Sequence, residues 1–196
     1  SMPHLNSGAR DLQFGTVKVQ KYEIFEKIGI WKKIKRNAEP IKKIKVIDRK
    51  PTRNIKFANS KDKENLGYIV RNNFLKTTLL QSLQNKKNVK IISNQELSKI
   101  INKKDFLDCH FESIKIETKL LIASDGRNSK VRKILKTPVY KKDYNQKALV
   151  VNFHHTQNHN SCAFELFYNS GPLAILPMKK NKKNRYTSSL IWSHTP

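Results

Sequence analysis

The amino-acid sequence predicts an α+β fold, with helices in the first part of the chain and strands dominating the end. Two stretches, residues 17–36 and 67–83, place apolar residues at three- and four-residue steps, as amphipathic helices do. Residues 41–59 alternate between apolar and polar side chains, as strands do. After residue 146, four strand-like runs follow one another with only polar turns between them, which predicts a mostly antiparallel sheet.

The first predicted helix covers residues 17–36. Its apolar residues lie along one side of a helix, and they are Tyr22, Phe25, Ile28, Trp31 and Ile34. Gly29 lowers the helix propensity inside this stretch, and Pro40 ends the region. The alternating segments "IKVID" and "NIKFA" then predict two strands on either side of the turn-like "RKPTR".

Residues 67–83 predict a short extended piece followed by a helix with a leucine-rich apolar face. Beyond this helix, polar turns separate several short apolar runs that predict strands. These strands are a buried one in "NKKNVKIIS", then "LSKIIN", "FLDCHFES" and "IKIETKLLIAS", and a helix begins in "NSKVRKIL". The final antiparallel sheet is expected from "KALVVNFHH", "CAFELFY", "PLAILPM" and "YTSSLIWS".

The net charge of +25 raises the question of an anionic partner. The lysines are spread along the whole chain between core positions, and no aromatic RNA-binding motif, Cys/His finger or Arg-rich arm is present. We therefore expect no dedicated nucleic-acid function, whereas an anionic membrane surface is a sensible partner. No apolar run approaches the roughly 20 residues that span a bilayer. Cys109 and Cys162 lie far apart, which fits a reducing compartment.

The stretch "LLIASDGRNSKVRKIL" (residues 120–135) predicts a buried strand, an Asp-Gly turn and a helix. Asp125 would stand at the carboxyl end of the strand, where α/β sheets bind ligands, and Gly126 permits close approach of a ligand to the backbone. Ser129 can cap the helix, whose first N–H groups attract phosphate. Arg132 can pair with a phosphate or with a carboxylate that fixes the loop. The pattern indicates a nucleotide site, with an ordinary capped turn as the alternative.

The segment "HHTQNHNSC" brings three histidines and a cysteine close together in sequence, namely His154, His155, His159 and Cys162. The spacing of His155 and His159 matches a metal-binding pair on a helix. However, the neighbourhood predicts strand, turn and strand, and no CxxC partner exists. We therefore expect a polar turn and no metal.

Several segments together resemble the FAD-dependent aromatic hydroxylases, in particular their ubiquinone-biosynthesis branch. The apolar strand, Asp-Gly, Ser and Val-Arg of residues 120–132 resemble the second nucleotide-binding fingerprint of that family. "IFEKIGIWKKI" is similar to its Leu-Gly-x-Trp helix, and "NLGYIVRNNFLKTTLLQSL" to a Gly-Tyr strand followed by a Leu-rich helix. "GPLAILPM" and "SLIWS" resemble strands of the substrate domain.

This resemblance implies an enzyme that uses FAD, NAD(P)H and O2 to hydroxylate an aromatic ring in ubiquinone biosynthesis. The implied cofactor-binding residues are Asp125, Gly126, Ser129, Arg132 and Asn72, and Leu176 and Pro177 would line the substrate side of the flavin. Sheet core and an edge-strand proline are the alternative for the last two. The catalytic residues are unknown at this point, because no paired carboxylates suited to acid–base chemistry are evident in the sequence.

The resemblance also implies a division of the chain into four parts. They are a tail and helix of the FAD domain (1–40), strands of the substrate domain (41–62), the FAD-binding core (63–140) and the antiparallel substrate domain (141–196). The family's Gly-x-Gly-x-x-Gly motif and its late Gly-Asp block are absent from this sequence. We therefore expect a fragment with a partial FAD-binding domain that is inactive alone and does not necessarily retain FAD.

The expected partners are a polyprenyl-phenol substrate, other ubiquinone-biosynthesis proteins and a membrane surface, which places the protein in the cytoplasm at the inner membrane. Two alternatives stay open. The first is a basic protein that binds nucleic acid or anionic lipid without enzymatic activity. The second is a different flavoprotein of the same fold, such as a halogenase or a prenyl-chain reductase.

Overall fold

The computed structural model describes residues 16–19, 22–48, 54–58, 65–84 and 86–194, without the side chains of residues 16–19. These residues form two compact units. The first contains the described residues up to Val89 and those from Tyr144 onward, and the second is Lys90–Asp143. Each unit is described by itself.

The helices and strands follow one another in this order: β1 (Thr16–Val19), α1 (Glu23–Lys27), α2 (Trp31–Asn37), β2 (Glu39–Ile41), β3 (Lys43–Ile47), β4 (Asn54–Ala58), β5 (Gly67–Arg71), α3 (Asn72–Gln84), β6 (Leu97–Asn102), β7 (Leu107–Phe111), β8 (Lys115–Thr118), α4 (Lys130–Ile134), β9 (Lys147–His155), β10 (Cys162–Tyr168), β11 (Gly171–Met178) and β12 (Tyr186–His194).

A three-stranded antiparallel sheet and three helices form one end of the first unit. The strand order is β1-β5-β2. The helices supply apolar side chains to a cluster around β5, in which Trp31 and Ile34 of α2 are buried against Tyr68 and Val70. The Trp31 and Tyr68 rings meet edge to face, with centroids 4.9 Å apart. These contacts hold the helices on β5 because aromatic side chains bury a large apolar area.

The prediction of one helix over residues 17–36 is wrong. Residues 16–19 form β1, and the rest divides into α1 and α2. Gly29, between the two helices, has a φ of +76°, a left-handed conformation that breaks the helix. Trp31 and Ile34, two residues of the predicted apolar side, are buried in the structure, whereas Ile28, at the break between the helices, is exposed.

A six-stranded sheet dominates the first unit, in the order β4-β3-β10-β11-β12-β9. All neighbouring strands are antiparallel except β3 and β10, which run parallel. The two faces of this sheet differ. The inner face carries Ala163, Leu176 and Met178, which pack with Ile41 and Ile69 in a second apolar cluster. The outer face carries the alternate residues, and neither apolar cluster includes any of them.

The second unit contains the antiparallel sheet β6-β7-β8 and the short helix α4. Cys109 is buried in β7, and burial raises the pKa of its thiol. On the same strand, His110 Nε2 lies 2.9 Å from Asp108 Oδ2, and this hydrogen bond lowers the pKa of Asp108. Lys130 at the start of α4 forms an ion pair with Glu96.

Two predicted strands do not form. Val89, Ile91 and Ile92 of "NKKNVKIIS" are exposed and belong to no strand. β8 ends at Thr118, so the continuation "LLIAS" is not a strand either, and Leu120 and Ile122 are 70% and 75% exposed. Neither segment has a neighbouring strand among the described residues with which its backbone groups could pair.

The α+β prediction is confirmed by four helices and twelve strands among the described residues. The strands predicted around 41–59, the extended piece and helix at 67–83, and the four final strands all form. The turn "RKPTR" lies outside the described residues, and the four-part domain division stays a prediction. Among the helices of the described residues, none has the length and apolar character needed to cross a membrane.

Candidate functional site

The Asp-Gly loop of the second unit is organised around the Asp125 carboxylate. Its Oδ2 atom accepts hydrogen bonds from the backbone N–H groups of Lys130 at 2.6 Å and Val131 at 3.1 Å. Ser129 also hydrogen-bonds to this carboxylate. Together these bonds fold residues 125–131 back on themselves, so that Asp125 fixes the start of α4.

Ser129 caps α4, as the sequence predicts. Its Oγ accepts a hydrogen bond from the backbone N–H of Arg132 at 3.1 Å, and the Ser129 side chain is buried. With Lys130 and Val131 bonded to Asp125, the first N–H groups of the helix are therefore occupied by side chains of the loop itself. The expectation that these amides are available to a phosphate is not met in this structure.

Arg132 and Gly126 shape the same loop. Arg132 Nη2 donates a hydrogen bond to the carbonyl oxygen of Arg127 at 2.6 Å, so the guanidinium contacts the turn and stabilises it. Gly126 has a φ of +79°, and no atom lies within 4 Å of the position that a Cβ would take. The backbone at Gly126 is therefore accessible from outside, which is the property expected where a ligand approaches a main chain.

The loop borders a depression of about 510 Å3. Its lining combines charged, hydroxyl and apolar groups, namely Ala123, Ser124, Asp125, Gly126, Ser129, Val131, Arg132, Leu135 and Thr137. A volume of this size is within the usual range of small-molecule sites. One cation, one carboxylate and several hydroxyl groups beside apolar side chains suit a ligand with both polar and apolar parts.

The electrostatics of the loop favour an ionised Asp125. Hydrogen bonds from Ser129 and from the backbone N–H groups of Val131 and Lys130 lower the pKa of the Asp125 carboxyl. Asp125 is therefore negatively charged at neutral pH, and Arg132, seven residues further along the chain, carries a positive charge. A ligand phosphate would be attracted by Arg132 and repelled by Asp125.

The other predicted site residues belong to the first unit. Asn72 is the first residue of α3 and is partly exposed. Leu176 lies on the inner face of the six-stranded sheet and packs against the second apolar cluster. Pro177 is buried next to it and pairs with Ser188 of β12, beyond the last paired residues of β10 and β11. Its missing N–H therefore costs no ladder bond to β10.

The histidine segment forms hydrogen bonds within the sheet. His154 Nδ1 and His155 Nε2 lie 3.1 Å and 2.9 Å from the hydroxyls of Thr187 and Ser188. His159 Nε2 lies 3.1 Å from the carbonyl oxygen of Met178. Among the described residues, no three His, Cys, Asp or Glu side chains are grouped so that they could hold a metal ion.

Sequence reasoning missed a cavity of about 560 Å3 on the outer face of the six-stranded sheet. Its walls include Lys43 and Lys45 of β3 together with Phe153, Phe164 and Ile175 of three later strands. The parallel pairing of β3 with β10 brings these distant segments together. The only sequence signal is the alternation within each strand, which does not reveal which strands are neighbours.

Comparison with protein families identifies the class to which this fold belongs. A family model described as "FAD binding domain" matches residues 6–196. This chain belongs to that FAD-binding family. The family assignment agrees with the flavoprotein resemblance of the Asp-Gly stretch, and FAD is the cofactor that it indicates.

The curated relatives of this family member are ubiquinone hydroxylases, which confirms the predicted branch. UbiL of Rhodospirillum rubrum is 27% identical over 171 residues, which cover 87% of this chain and 39% of UbiL. The mitochondrial ubiquinone biosynthesis monooxygenase COQ6 of Caenorhabditis elegans is 30% identical over 192 residues, covering 89% of this chain and 39% of that protein. The chain thus spans less than half the length of these relatives.

Solved structures of low sequence identity share the fold. PqsL of Pseudomonas aeruginosa superimposes with a TM-score of 0.75 at 14% identity, covering 95% of this chain and 51% of PqsL. CtdE, solved in complex with FAD, has a TM-score of 0.67 at 13% identity and covers 93% of this chain and 49% of CtdE.

The Asp-Gly loop fits part of an FAD molecule. The accessible backbone at Gly126 permits a close approach of the dinucleotide, and Arg132 provides a cation next to it. The Ser124 hydroxyl and the Asp125 carboxylate are suitable partners for sugar hydroxyls. The carboxylate would face the hydroxyl-rich part of the cofactor, since it repels the pyrophosphate.

Proposed function

We propose that this chain is part of a flavin-dependent monooxygenase that hydroxylates an aromatic ring in ubiquinone biosynthesis. The observation that carries the proposal is its similarity to ubiquinone hydroxylases along 87% and 89% of its own length. FAD, when bound, supplies the redox chemistry: with electrons from NAD(P)H it places one oxygen atom of O2 on the ring and releases the other as water.

The residues of this chain would bind and orient the cofactor and the ring. Asp125, Gly126, Ser129 and Arg132 hold FAD in this proposal, and Asn72 supplies a polar group near the flavin. Leu176 would provide an apolar group on the substrate side, whereas Pro177, on the opposite face of the same strand, would fix the backbone at that point. Leu176 is partly buried and Pro177 is fully buried in the sheet.

We propose a polyprenyl phenol as the substrate and the inner membrane surface as the place of action. Such a substrate dissolves in lipid, and the net charge of +25 attracts the chain to anionic headgroups. Other ubiquinone-biosynthesis proteins would then be neighbours on the same surface. NAD(P)H is the proposed electron donor.

We also propose that activity requires further polypeptide. Val89, Ile91 and Ile92 in one segment and Leu120 and Ile122 in another are apolar, strand-like and exposed. Strands from another segment or chain would pair with them and bury these side chains. The chain alone would therefore bind FAD weakly and would not hydroxylate the substrate.

The proposed function is tested in a chimera. Residues 6–194 of this chain replace the matching region of UbiL, and the purified chimera is assayed for bound FAD and for hydroxylation of a polyprenyl phenol with NAD(P)H and O2. We expect retained FAD and ring hydroxylation. A folded chimera that retains FAD yet hydroxylates no polyprenyl phenol would contradict the proposed reaction.

The proposed cofactor residues are tested in the same chimera. Arg132→Ala removes a charge-assisted contact and should weaken FAD binding by about tenfold or more. Lys133→Ala, which removes an exposed cation from the next position of α4, is the matched control and should leave FAD content unchanged. Equal FAD content in both variants would show that Arg132 does not contribute to FAD binding.

A further inference from the structure

A depression of about 750 Å3 lies at one end of the six-stranded sheet. The loop between β9 and β10 and the loop between β11 and β12 form its walls, together with residues of β2 and of the link from β2 to β3. Its charged residues are Glu39, Lys42, Lys179 and Lys180, and we name it the lysine-lined depression. Neither the Asp-Gly loop nor the other proposed cofactor and substrate residues belong to it.

The lysine-lined depression carries positive charge. Three ammonium groups against one carboxylate leave a net charge of +2 at neutral pH. The carboxylate is already engaged, because Glu39 Oε1 accepts a hydrogen bond from Ser161 Oγ at 2.9 Å. No ion pair of the described residues involves Lys42 or Lys179. Their ammonium groups are therefore available to an anion.

His159 holds the loop between β9 and β10 in place. The side chain of His159 is 9% exposed. Its Nε2 atom lies 3.1 Å from the carbonyl oxygen of Met178, and its Nδ1 atom accepts a hydrogen bond from the backbone N–H of Ser161 at 3.1 Å. Glu39 Oε1 lies 4.0 Å from the same Nδ1 atom. One imidazole thus joins this loop to the end of β11 and fixes the wall next to Glu39.

Asn181 holds the loop between β11 and β12. Its Oδ1 atom accepts hydrogen bonds from the backbone N–H groups of Lys183 at 3.0 Å and Arg185 at 2.9 Å. At the start of the same loop, the Lys180 ammonium lies 4.0 Å from the centroid of the Tyr186 ring, a cation–π contact that directs this side chain. Both walls of the depression are therefore formed in advance, as is usual in small-molecule sites.

Backbone strain is concentrated in these two loops. Asn160, Ser161 and Asn184 line the depression with φ values of +51°, +52° and +58°. They are three of the six residues other than glycine that are left-handed in the described part of the chain. Such conformations cost free energy and cluster at ligand sites, where the surrounding structure enforces them. The fold thus maintains an unfavourable backbone on both walls of the depression.

We infer that the lysine-lined depression binds the phosphate monoester group of a hydroxyl-bearing small molecule. A phosphate monoester carries a charge of about −1.5 to −2 at pH 7, which the net charge of +2 balances. Lysine ammonium groups are common phosphate ligands. The carboxamides of Asn158, Asn160 and Asn184 are suitable partners for the hydroxyl groups of such a molecule.

Two other ligand classes suit the depression less well. A divalent cation would be repelled by the three ammonium groups, and the described residues hold no group of three His, Cys, Asp or Glu side chains that could bind a metal. An apolar ligand would find no Leu, Ile, Val or Phe among the described residues that line the depression. A phosphate on a polar molecule is the ligand class that matches both the charge and the lining.

A phosphate monoester of this kind could come from two sources. One is the 2′-phosphate of NADPH, and this source rests on the proposed function, in which NAD(P)H is the electron donor. The other is a free sugar phosphate, which is independent of flavin chemistry. The two sources share the chemical group that the depression recognises.

Isothermal titration calorimetry of the purified chain with ribose 5-phosphate tests the site. We expect saturable binding, and no binding of unphosphorylated ribose. Competition identifies the source. Displacement of ribose 5-phosphate by NADPH but not by NADH would assign the site to the 2′-phosphate, and displacement by neither would assign it to a free sugar phosphate. These titrations involve neither FAD nor hydroxylation, so they can fail while the proposed function holds.

Matched lysine variants locate the phosphate. Lys179→Gln with Lys180→Gln removes two charges from the depression and should weaken binding of ribose 5-phosphate about tenfold or more. Lys182→Gln with Lys183→Gln removes the same charge from exposed positions of the same loop that do not line the depression. This control pair should change binding less than about twofold, because solvent and salt screen exposed charges.

Glu39→Gln should have the opposite effect. Gln keeps an oxygen atom that accepts the Ser161 hydrogen bond, but it removes the negative charge from the depression. Binding of ribose 5-phosphate should therefore become tighter by about twofold or more. Circular dichroism first confirms that this variant and both lysine pairs are folded.

The inference is overturned if ribose 5-phosphate does not bind, if ribose binds equally well, or if Glu39→Gln binds ribose 5-phosphate no more tightly. Equal weakening by the two lysine pairs would also overturn it, because binding would then reflect general attraction to a chain of net charge +25. Equal displacement by NADPH and NADH would show that the depression recognises a pyrophosphate instead of a phosphate monoester.

Discussion

Strand β11 and residues 120–123 are both apolar, yet only β11 is part of a sheet. β11 lies between β10 and β12, and its side chains are buried or partly buried. In contrast, residues 120–123 follow β8 and have no strand partner in the part of the chain that the structure describes, and Leu120 and Ile122 are largely exposed. The difference teaches that an apolar sequence is able to become a strand, but that a neighbour offering backbone hydrogen bonds decides whether it does.

The largest expected effect compares two leucines of the second unit. Leu97 of β6 is 8% exposed and Leu120 is 70% exposed. Leu97→Ala should cost about 2–5 kcal/mol of unfolding free energy because it leaves a cavity. Leu120→Ala should stay within about 0.5 kcal/mol. Hydrogen exchange of peptides from residues 90–143 measures the unfolding free energy of both variants. An equal loss of unfolding free energy in the two would mean that residues 120–123 are packed in solution.

An intermediate effect concerns two glycines of the first unit. Gly171 has a φ of +134°, and a Cβ there would lie 2.1 Å from the carbonyl oxygen of Ser193. Gly29 has a φ of +76° with nothing within 4 Å. Gly171→Ala should therefore cost about 2–3 kcal/mol, because β11 must move away from β12, and Gly29→Ala about 1 kcal/mol from backbone strain alone.

Urea unfolding followed by tryptophan fluorescence measures both glycine variants, since Trp31 lies two residues after Gly29 and Trp192 immediately before Ser193. If Gly171→Ala is no less stable than Gly29→Ala, the backbones of β11 and β12 are able to move apart at this point at little cost in free energy. The sheet would then tolerate changes in strand spacing better than its backbone pairing suggests.

The smallest expected effect is the acid titration of the Asp-Gly loop. The pKa of Asp125 is lower in the folded state than its ordinary value of about 3.9. The ionised carboxylate of Asp125 therefore stabilises the folded state fully above about pH 4. This stabilisation is lost as the pH falls through the lower pKa of the folded state. The amide proton signals of Lys130 and Val131 should shift with a midpoint below pH 3.9.

Asp125→Asn is the control for this titration, because the amide group does not ionise. The two amide signals should then show no such midpoint. A midpoint at or above pH 3.9 in the unsubstituted chain would mean that the carboxylate does not hold these N–H groups in solution.

Much of the fold could be predicted from the sequence because local patterns determine it. The alternating residues of β9–β12 and the apolar face of α3 are complete within each segment. The single helix over residues 17–36 failed because the apolar periodicity continues through Gly29, where the backbone takes a left-handed conformation. The predicted strands at 89–92 and 119–124 failed because pairing depends on other segments of polypeptide.

The candidate site could be predicted only in part. The Asp-Gly pattern identified Asp125, Ser129 and Arg132, and Ser129 caps α4 as predicted. The sequence did not show that Asp125 would occupy the helix amides itself, because Asp and phosphate are equally suitable partners for an N–H group. The cavity on the outer face of the six-stranded sheet could not be predicted from the sequence, because it combines β3 with strands that follow much later in the chain.

The parallel pair of β3 and β10 also sets an order of events during synthesis. Lys43 pairs with Cys162 and Ile47 with Leu166, so β3 emerges from the ribosome long before its neighbour exists. Until then, β3 has only the hairpin partner β4, and one of its edges stays unpaired. The whole second unit is translated in this interval. A nascent chain of this protein therefore exposes a strand edge while more than half of its residues, from β3 to β10, are being made, and an unpaired edge of this kind is prone to aggregation.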